Sequence, residues 1–334
     1  MSTNHVLAVD GGNSKTLAAV MSDKGELLSL VRESGSNYQG IGRRNASKVL
    51  SRAIGSSLDK AEVKTVHAAC YGIAGADRDK DFEVIREILK PLNPAPDMIL
   101  VNDTQLALRA GTKDGTGVAL IGGAGSNCIG QGRDGSIKKA WGLGPLTGDK
   151  ANASALVHDA IVAAMKGRDG RASPTALEGL FKDALGLDAI EDVIEADFAD
   201  APLEADFTGL APLVFQAAKE GDPAAVSVLD SHGRAAAEAA LAVMRGLFSP
   251  AEEVPLVLGG SVLQKGESPV LINTVKELVT EEFPKVRFQV LSDHPLLGGV
   301  LLALDRLLGR TPAEVEDKAR KDIARHVSLL ESEL

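Results

Sequence analysis

The chain has 334 residues, a formal net charge of −10, 44% hydrophobic residues, 3% aromatic residues and two cysteines. That length predicts two domains with sizeable cores, and the acidic balance and few aromatics exclude a nucleic-acid surface, which needs a basic stripe and rings for stacking. Cys70 and Cys128 are too few for a disulfide framework or a cluster held by one chain, and read as small buried hydrophobes in strands. There is no apolar run of 18 residues, and Met1-Ser2-Thr3-Asn4-His5 leads straight into a strand, so a soluble cytoplasmic protein with no membrane partner is expected. The apolar mass is Ala, Val, Leu and Ile, the usual filling of α/β layers.

Val6-Leu7-Ala8-Val9 is a buried-strand run ending at Asp10. Gly11-Gly12-Asn13-Ser14-Lys15-Thr16 follows, then a second apolar run, Leu17 to Met21. Strand, polar glycine turn, strand predicts a β-hairpin, unlike the P-loop, whose Gly-x-x-x-x-Gly-Lys-Ser/Thr opens a helix. Glycines let backbone approach a ligand closely. Ser14, Lys15 and Thr16 offer donors to phosphate oxygens, and Asp10 offers a hard oxygen to a hydrated Mg²⁺. An ordinary hairpin with a polar turn would look the same.

A third strand is expected at Leu27–Arg32, then a polar loop, 33–40, and a helix near Asn45–Leu58. Asn37 stands out in the loop because an amide gives a sugar both donors and an acceptor. Val63–Ile73 reads as a buried strand containing His67, taken as a core or edge residue. It ends at the small-residue corner Ala74-Gly75-Ala76-Asp77, which could pass close to a substrate. After a helix at about Asp79–Leu89, Met98–Thr104 is the next strand, whose end carries Asp103, and a helix is expected near Gln105–Ala110. A carboxylate there points into the crevice where α/β sheets bind ligands, and the bland alternative is Asp or Thr capping the helix that follows.

The opening pattern then repeats. Val118–Ile121 is a strand, Gly122-Gly123-Ala124-Gly125-Ser126-Asn127 a small-residue turn, and Cys128–Gln131 a second strand. Two such turns predict two related domains gripping one nucleotide. A glycine-dense loop, Trp141 to Asp149, precedes a helix from Ala151 to about Lys166. The chain is then mostly helical to Leu247, with breaks at Gly186, Pro202 and Gly221-Asp222-Pro223. Val254–Leu258 is a strand ending at Gly259-Gly260-Ser261, where a base or ribose could slide past backbone. A helix at Val270–Glu282, a strand at Val286–Val290 and a small-residue helix from His294 to Leu308 follow. Pro312–Leu334 reads as a charged, peripheral helical tail.

The ordered set Asp10-Gly-Gly-Asn-Ser-Lys-Thr16, Gly72-Ile-Ala-Gly75, Asn102-Asp103, Gly123-Ala-Gly-Ser-Asn127, Gly142-Leu-Gly-Pro-Leu-Thr-Gly-Asp149 and Gly259-Gly-Ser261 resembles the N-acetylglucosamine kinase family. That family lies within the sugar kinase, Hsc70 and actin superfamily, beside the ATPase activators of 2-hydroxyacyl-CoA dehydratases. The resemblance covers about residues 5–308. It implies an α/β fold of two ribonuclease H-like (actin-like ATPase) domains with a central cleft: residues 1–112 plus 295–334, and residues 113–294 with a helical insertion. It also implies ATP and Mg²⁺ as cofactors, a small-molecule sugar partner and a homodimer. By motif position, Gly11, Gly12, Ser14, Lys15, Thr16, Gly123 and Gly125 would serve the ATP phosphates, and Asp10 the Mg²⁺ through water. Gly260 and Ser261 would lie beside the adenosine. Asp103 would be the catalytic base. Asn37, Ser126, Asn127, Gly142, Gly144 and Asp149 would hold the sugar.

The chain departs from the family pattern in three places. Gly11-Gly12-Asn13-Ser14 stands for Gly-Gly-Gly-Thr, Ala124 for a threonine, and Lys150-Ala151-Asn152 for Glu-Gly-Ser. The reading that follows is phosphorylation of an amino sugar, foremost N-acetylglucosamine to its 6-phosphate. Glucosamine, a muramic sugar or another hexose are the alternatives within the same mechanism. An ATPase that activates a partner enzyme and a sugar-sensing regulator are alternatives of other classes.

Overall fold

The computed structural model describes residues 3–193 and 208–332, so the break expected at Pro202 lies outside the described residues. The chain forms two compact units, Met1–Gly117 with Leu291–Leu334, and Val118–Val290.

The first unit opens with β1 (His5–Gly11), β2 (Lys15–Ser22) and β3 (Leu27–Ser34), an antiparallel meander. Helices α1 (Tyr38–Ile41) and α2 (Arg43–Lys60) follow, then β4 (Ala68–Ile73), α3 (Asp79–Leu89), β5 (Met98–Asn102) and α4 (Asp103–Gly111). The sheet order is β3-β2-β1-β4-β5, with β1, β4 and β5 parallel. Central parallel strands are covered on both faces, which is why Val6-Leu7-Ala8-Val9 and β4 are apolar without alternation and fully buried. Helix α2 buries Ala46, Val49, Leu50, Ala53, Ile54 and Ser57, a stripe at helical spacing. The register sets Gly11 opposite Ile73 and Ile73 opposite Asn102, so three strands end level with one another. Their carboxyl ends form one rim.

The second unit has β6 (Gly117–Gly122), β7 (Ser126–Gln131), β8 (Ile137–Ala140), α5 (Ala153–Arg168), α6 (Ala176–Leu185), α7 (Ala211–Lys219), α8 (Pro223–Leu247), β9 (Val254–Gly259), α9 (Ser261–Lys265), α10 (Val270–Glu282) and β10 (Val286–Val290). Its sheet order is β10-β9-β6-β7-β8, with β6, β9 and β10 parallel. Helix α8 begins where Asp222 caps the Ala225 amide and Pro223 takes the first turn, the position that needs no amide donor. Ala225, Ala236, Ala237, Ala239 and Ala240 are core, packed with β6, β9 and the surrounding helices.

Returning to the first unit, the chain adds α11 (Pro295–Leu308) and α12 (Ala313–Ser332). Helix α11 lies so close on α4 that a Cβ on Gly298 would come within 1.9 Å of the Leu106 carbonyl oxygen.

Several expectations from sequence are corrected here. The strand expected from Val63 begins only at Ala68, because residues 63–67, at least partly exposed except for Val66, are tied by isolated bonds such as Val66 to Pro94 and His67 to His5. Strand β3 runs two residues beyond Arg32, and β8, two lysines between Ile137 and Ala140, was not foreseen. Helix α12 is not peripheral. It buries Ala319, Ile323 and Val327, and its Asp322 accepts the Leu27 amide of β3.

A buried cation ties these helices together. Arg109 of α4, 2% exposed, pairs with Asp305 of α11 and Glu316 of α12 and donates to the Thr112 carbonyl. Arg109→Met would leave two carboxylates facing each other without it. Urea unfolding should then show a loss of about 3 kcal/mol, the low end for a broken buried pair because both carboxylates keep some water.

Candidate active site

In the first unit, the β1–β2 turn closes by a 2.9 Å bond from the Gly12 amide to the Lys15 carbonyl, and the Ser36 amide donates back to Gly12. The Asn37 side chain donates to Asn13 Oδ1 at 2.7 Å while its own oxygen caps α1. Gly75, at φ +80°, permits a close approach to Asn37, since a Cβ there would stand 2.6 Å from Oδ1. The Ala74 amide bonds the Gly11 carbonyl. Asn102 reaches across from β5, donating to the Ala76 carbonyl at 3.2 Å and to Asp77 Oδ1 at 3.0 Å. Residues 10–16, 35–37, 74–77 and 102–103 therefore form one continuous rim. Asp10, Gly11, Gly12, Ser14, Lys15, Asn37 and Asp103 all belong to it.

Asn102, rather than Asp103 or Thr104, caps α4, accepting the Thr104 amide at 2.9 Å. Asp103 occupies the first helical position, where the helix N-terminus favours a carboxylate. Thr16 differs from the phosphate donor expected of it: it is fully buried, and its hydroxyl donates to Ser36 Oγ at 2.9 Å. That hydrogen braces the turn from behind.

Burial pushes the Asp10 carboxyl up to about 7, the Asp103 charge pushes the same way, and Lys15 opposes them. Two residues that sequence reasoning passed over join this rim. Asp77 receives the Asn102 amide, and the small-residue corner that ends in it was the available signal. His294 caps α11, its Nδ1 accepting the Leu296 amide at 3.1 Å and lying 3.8 Å from Asp10 Oδ2. Because Nδ1 accepts, it carries no proton, so this approach is no ion pair through that nitrogen. The signal was His-Pro opening a helix; its nearness to Asp10 is a long-range fact.

In the second unit, the turn after β6 closes by a 2.8 Å bond from the Gly123 amide to the Gly125 carbonyl. Gly260, at φ +86°, lies against it, and a Cβ there would come within 2.3 Å of the Gly122 carbonyl oxygen. This is why Gly260 and Ser261, which begins α9, sit beside Gly123. On the other side Asn152 donates to Ser126 Oγ at 3.0 Å, and the Ala153 amide to the Gly123 carbonyl at 2.8 Å. Asn127 packs against Gly142. Asp149 accepts the Gly142 and Gly144 amides on Oδ2, at 2.8 and 2.9 Å, and the Thr147 hydroxyl on Oδ1. Gly123, Gly125, Ser126, Asn127, Gly142, Gly144, Asp149, Gly260 and Ser261 thus make one cluster within this unit. Asp149 is buried and holds its loop in shape, while Leu146 on that loop is fully exposed.

Two mixed five-stranded sheets with helices, each ending its β1- or β6-type strand in a glycine turn, define an actin-like ATPase fold. The chain belongs to the BadF/BadG/BcrA/BcrD ATPase family, whose profile matches residues 7–303. It is 28% identical over 301 residues to an N-acetylmuramic acid/N-acetylglucosamine kinase of Clostridium acetobutylicum, covering 90% of this chain and 98% of that one. It is 27% identical over 321 residues to the N-acetyl-D-glucosamine kinase of Dictyostelium discoideum, covering 91% and 99%. Among solved structures, the ROK hexokinase of Thermus thermophilus shares the fold at a TM-score of 0.56 and 20% identity, with 91% of this chain and 99% of that one covered. No helix among the described residues is long and apolar enough to cross a membrane.

Two predictions come from this geometry. Asp10 is protonated in the folded chain up to about pH 7 but ionises near 3.8 when unfolded, so stability falls as pH rises between those values. Asp10→Asn removes this loss. Thermal melts should therefore show the variant gaining on wild type from pH 5 to pH 8, by on the order of 2 kcal/mol; an equal gap at both pH values would contradict it. Asp149→Ala should free the loop amides of Gly142 and Gly144. Hydrogen exchange at those two amides should then quicken roughly 10-fold or more, as one lost charge-assisted acceptor implies.

Proposed function

We propose that this protein is an ATP-dependent kinase of N-acetylglucosamine that forms the 6-phosphate, acting in the cytoplasm as a homodimer. The observation that carries the substrate is that both full-length relatives bear N-acetylglucosamine in their names. The Clostridium relative's name also covers N-acetylmuramic acid, which keeps a muramic sugar as the second reading. The departure Lys150-Ala151-Asn152 lies beside the proposed sugar residues and is where such a difference in acceptor would arise.

Phosphoryl transfer needs positioning and charge neutralisation more than covalent help. Asp10 and Asp103 are a carboxylate pair opposed by Lys15, a donor set that suits a hard, hydrated divalent cation. Mg²⁺, when bound, would neutralise phosphate charge there, with Asp10 holding it through water. In the first unit the Ser14 hydroxyl and Lys15 would take phosphate oxygens, with Gly11 and Gly12 shaping the turn that presents them. In the second unit the Gly125 amide would serve phosphate, with Gly123 closing the turn and Gly260 and Ser261 beside the adenosine. Asp103 would orient the sugar hydroxyl and accept its proton late in the transfer. Asn37, Ser126, Asn127, Gly142 and Gly144 would fix the sugar, with Asp149 shaping its loop.

An iron–sulfur-linked activator ATPase is disfavoured by the cysteines. Cys70 and Cys128 are both buried, and burial pushes their thiols up, away from the thiolate a cluster needs. A coupled ADP-release assay over N-acetylglucosamine, N-acetylmuramic acid, glucosamine and glucose separates the readings. Turnover should depend on an N-acetylated amino sugar, whereas sugar-independent hydrolysis would contradict the proposal. Asp103→Asn should lower kcat about 10²–10⁴-fold with ATP affinity nearly intact.

A further inference from the structure

Non-glycine residues with positive φ occur, among the described residues, at Glu62, Trp141 and Ala151. Ala151 is the one that touches the second glycine turn. It is fully buried at φ +56°, a conformation an L-residue avoids unless something over-determines it. Its carbonyl oxygen lies where a Cβ on Gly122 would be, 2.2 Å from that position. Two residues on, the Ala153 amide holds the Gly123 carbonyl. The left-handed step at Ala151 therefore seats the backbone of residues 151–153 against Gly122–Gly123, whose other side is closed by Gly260.

What holds Ala151 there comes from the middle of α8. His232 is 0% exposed, and its Nδ1 accepts the Ala151 amide at 3.0 Å. An accepting Nδ1 leaves the ring proton on Nε2, which donates to Asp159 Oδ2 of α5 at 3.0 Å. The same carboxylate oxygen receives Lys150 Nζ at 2.5 Å, and His158 Nδ1 lies 3.3 Å from Oδ1. Burial alone would raise the Asp159 carboxyl, but the contacts with His232, Lys150 and His158 outweigh it and hold the group well below the usual carboxylate range. The result is a fixed tautomer: Asp159 orients the ring, and the ring orients Ala151.

We propose that His232, oriented by Asp159, is a positioning residue for nucleotide binding, locking Ala151 in its left-handed conformation so that the Gly122–Gly125 turn is presented in binding-competent shape. The proposal rests on the kinase reading above, in which that turn contacts phosphate. His232 is fully buried, and Asp159 bonds its ring. They act through the backbone of Ala151, and Lys150 adds the second donor that keeps Asp159 ionised.

The test is isothermal titration of the whole chain with a non-hydrolysable ATP analogue. His232→Leu fills similar space but cannot accept the Ala151 amide, and its nucleotide Kd should rise about 10-fold or more, the scale of a left-handed L-residue that has lost its restraint. His232→Asn places an acceptor near the Nδ1 position and should stay within about 3-fold of wild type. Adding Ala151→Gly to His232→Leu should recover most of the lost affinity, because glycine adopts positive φ without a restraint. A role in packing alone predicts the reverse order, with leucine milder than asparagine, and no rescue by glycine. Either result would overturn the proposal. Should His232→Leu give no soluble protein, the doubly substituted Ala151→Gly, His232→Leu chain should recover solubility and bind, and its failure to do so counts against the proposal. A wild-type chain that binds no nucleotide would remove the kinase reading itself and this proposal with it, whereas wild-type binding that ignores His232 removes this proposal alone.

Discussion

Asp10 and Asp103 share the rim at the carboxyl ends of the parallel strands of one mixed sheet, and burial together with the Asp103 charge raises the Asp10 carboxyl. An ionised Asp10 is unfavourable there without a cation to receive it, because burial and like charge both penalise its charged form. The surrounding rim keeps the pair in place. Strands β1, β4 and β5 end level, Asn102 caps α4 and bonds the 76–77 corner, and α11 presses on α4 through Gly298. The Arg109 network then fixes both returning helices to α4. The fold of this unit thus holds Asp10 buried beside a second carboxylate.

The second unit solves a different problem. Its glycine turn is short and has no side chain to shape it, so shape comes from backbone packed on either side: Gly260 on one, residues 151–153 on the other. Neutral donors and one buried histidine do this work. The loop from Trp141 to Asp149 follows the same logic, with a buried carboxylate gathering amides that would otherwise point at random. In both units, polar side chains that could have been taken for ligand contacts also serve as internal braces, and Thr16 and Asp149 are the clearest cases.

Local pattern made most of the framework legible. The apolar run before Asp10, the Pro223–Leu247 helix, with its Asp-Pro start, and the strand–glycine corners at 122–125 and 259–261 are short-range signals, and the sequence places them where the structure does. Contacts across long separations were not legible. His294 approaches Asp10 from the far end of the chain, and nothing near either residue announces it. Helix α12 looked peripheral because its charges dominate its composition; its few apolar residues lie on one face, and its acids find Arg109 and the β3 amide only in three dimensions. The start of β4 was misplaced because Val63–His67 has strand-like residues but no neighbour to complete a ladder. Left-handed Ala151 could not be read from an alanine at all.

The account depends on the terminal phosphate reaching a sugar hydroxyl and not water. Incubating the protein with ATP labelled in the γ-phosphate, Mg²⁺ and N-acetylglucosamine, and following where the label goes, tests this directly. The label should accumulate in a sugar 6-phosphate, with little in inorganic phosphate. Label found in inorganic phosphate at the same rate with and without the sugar would contradict the account.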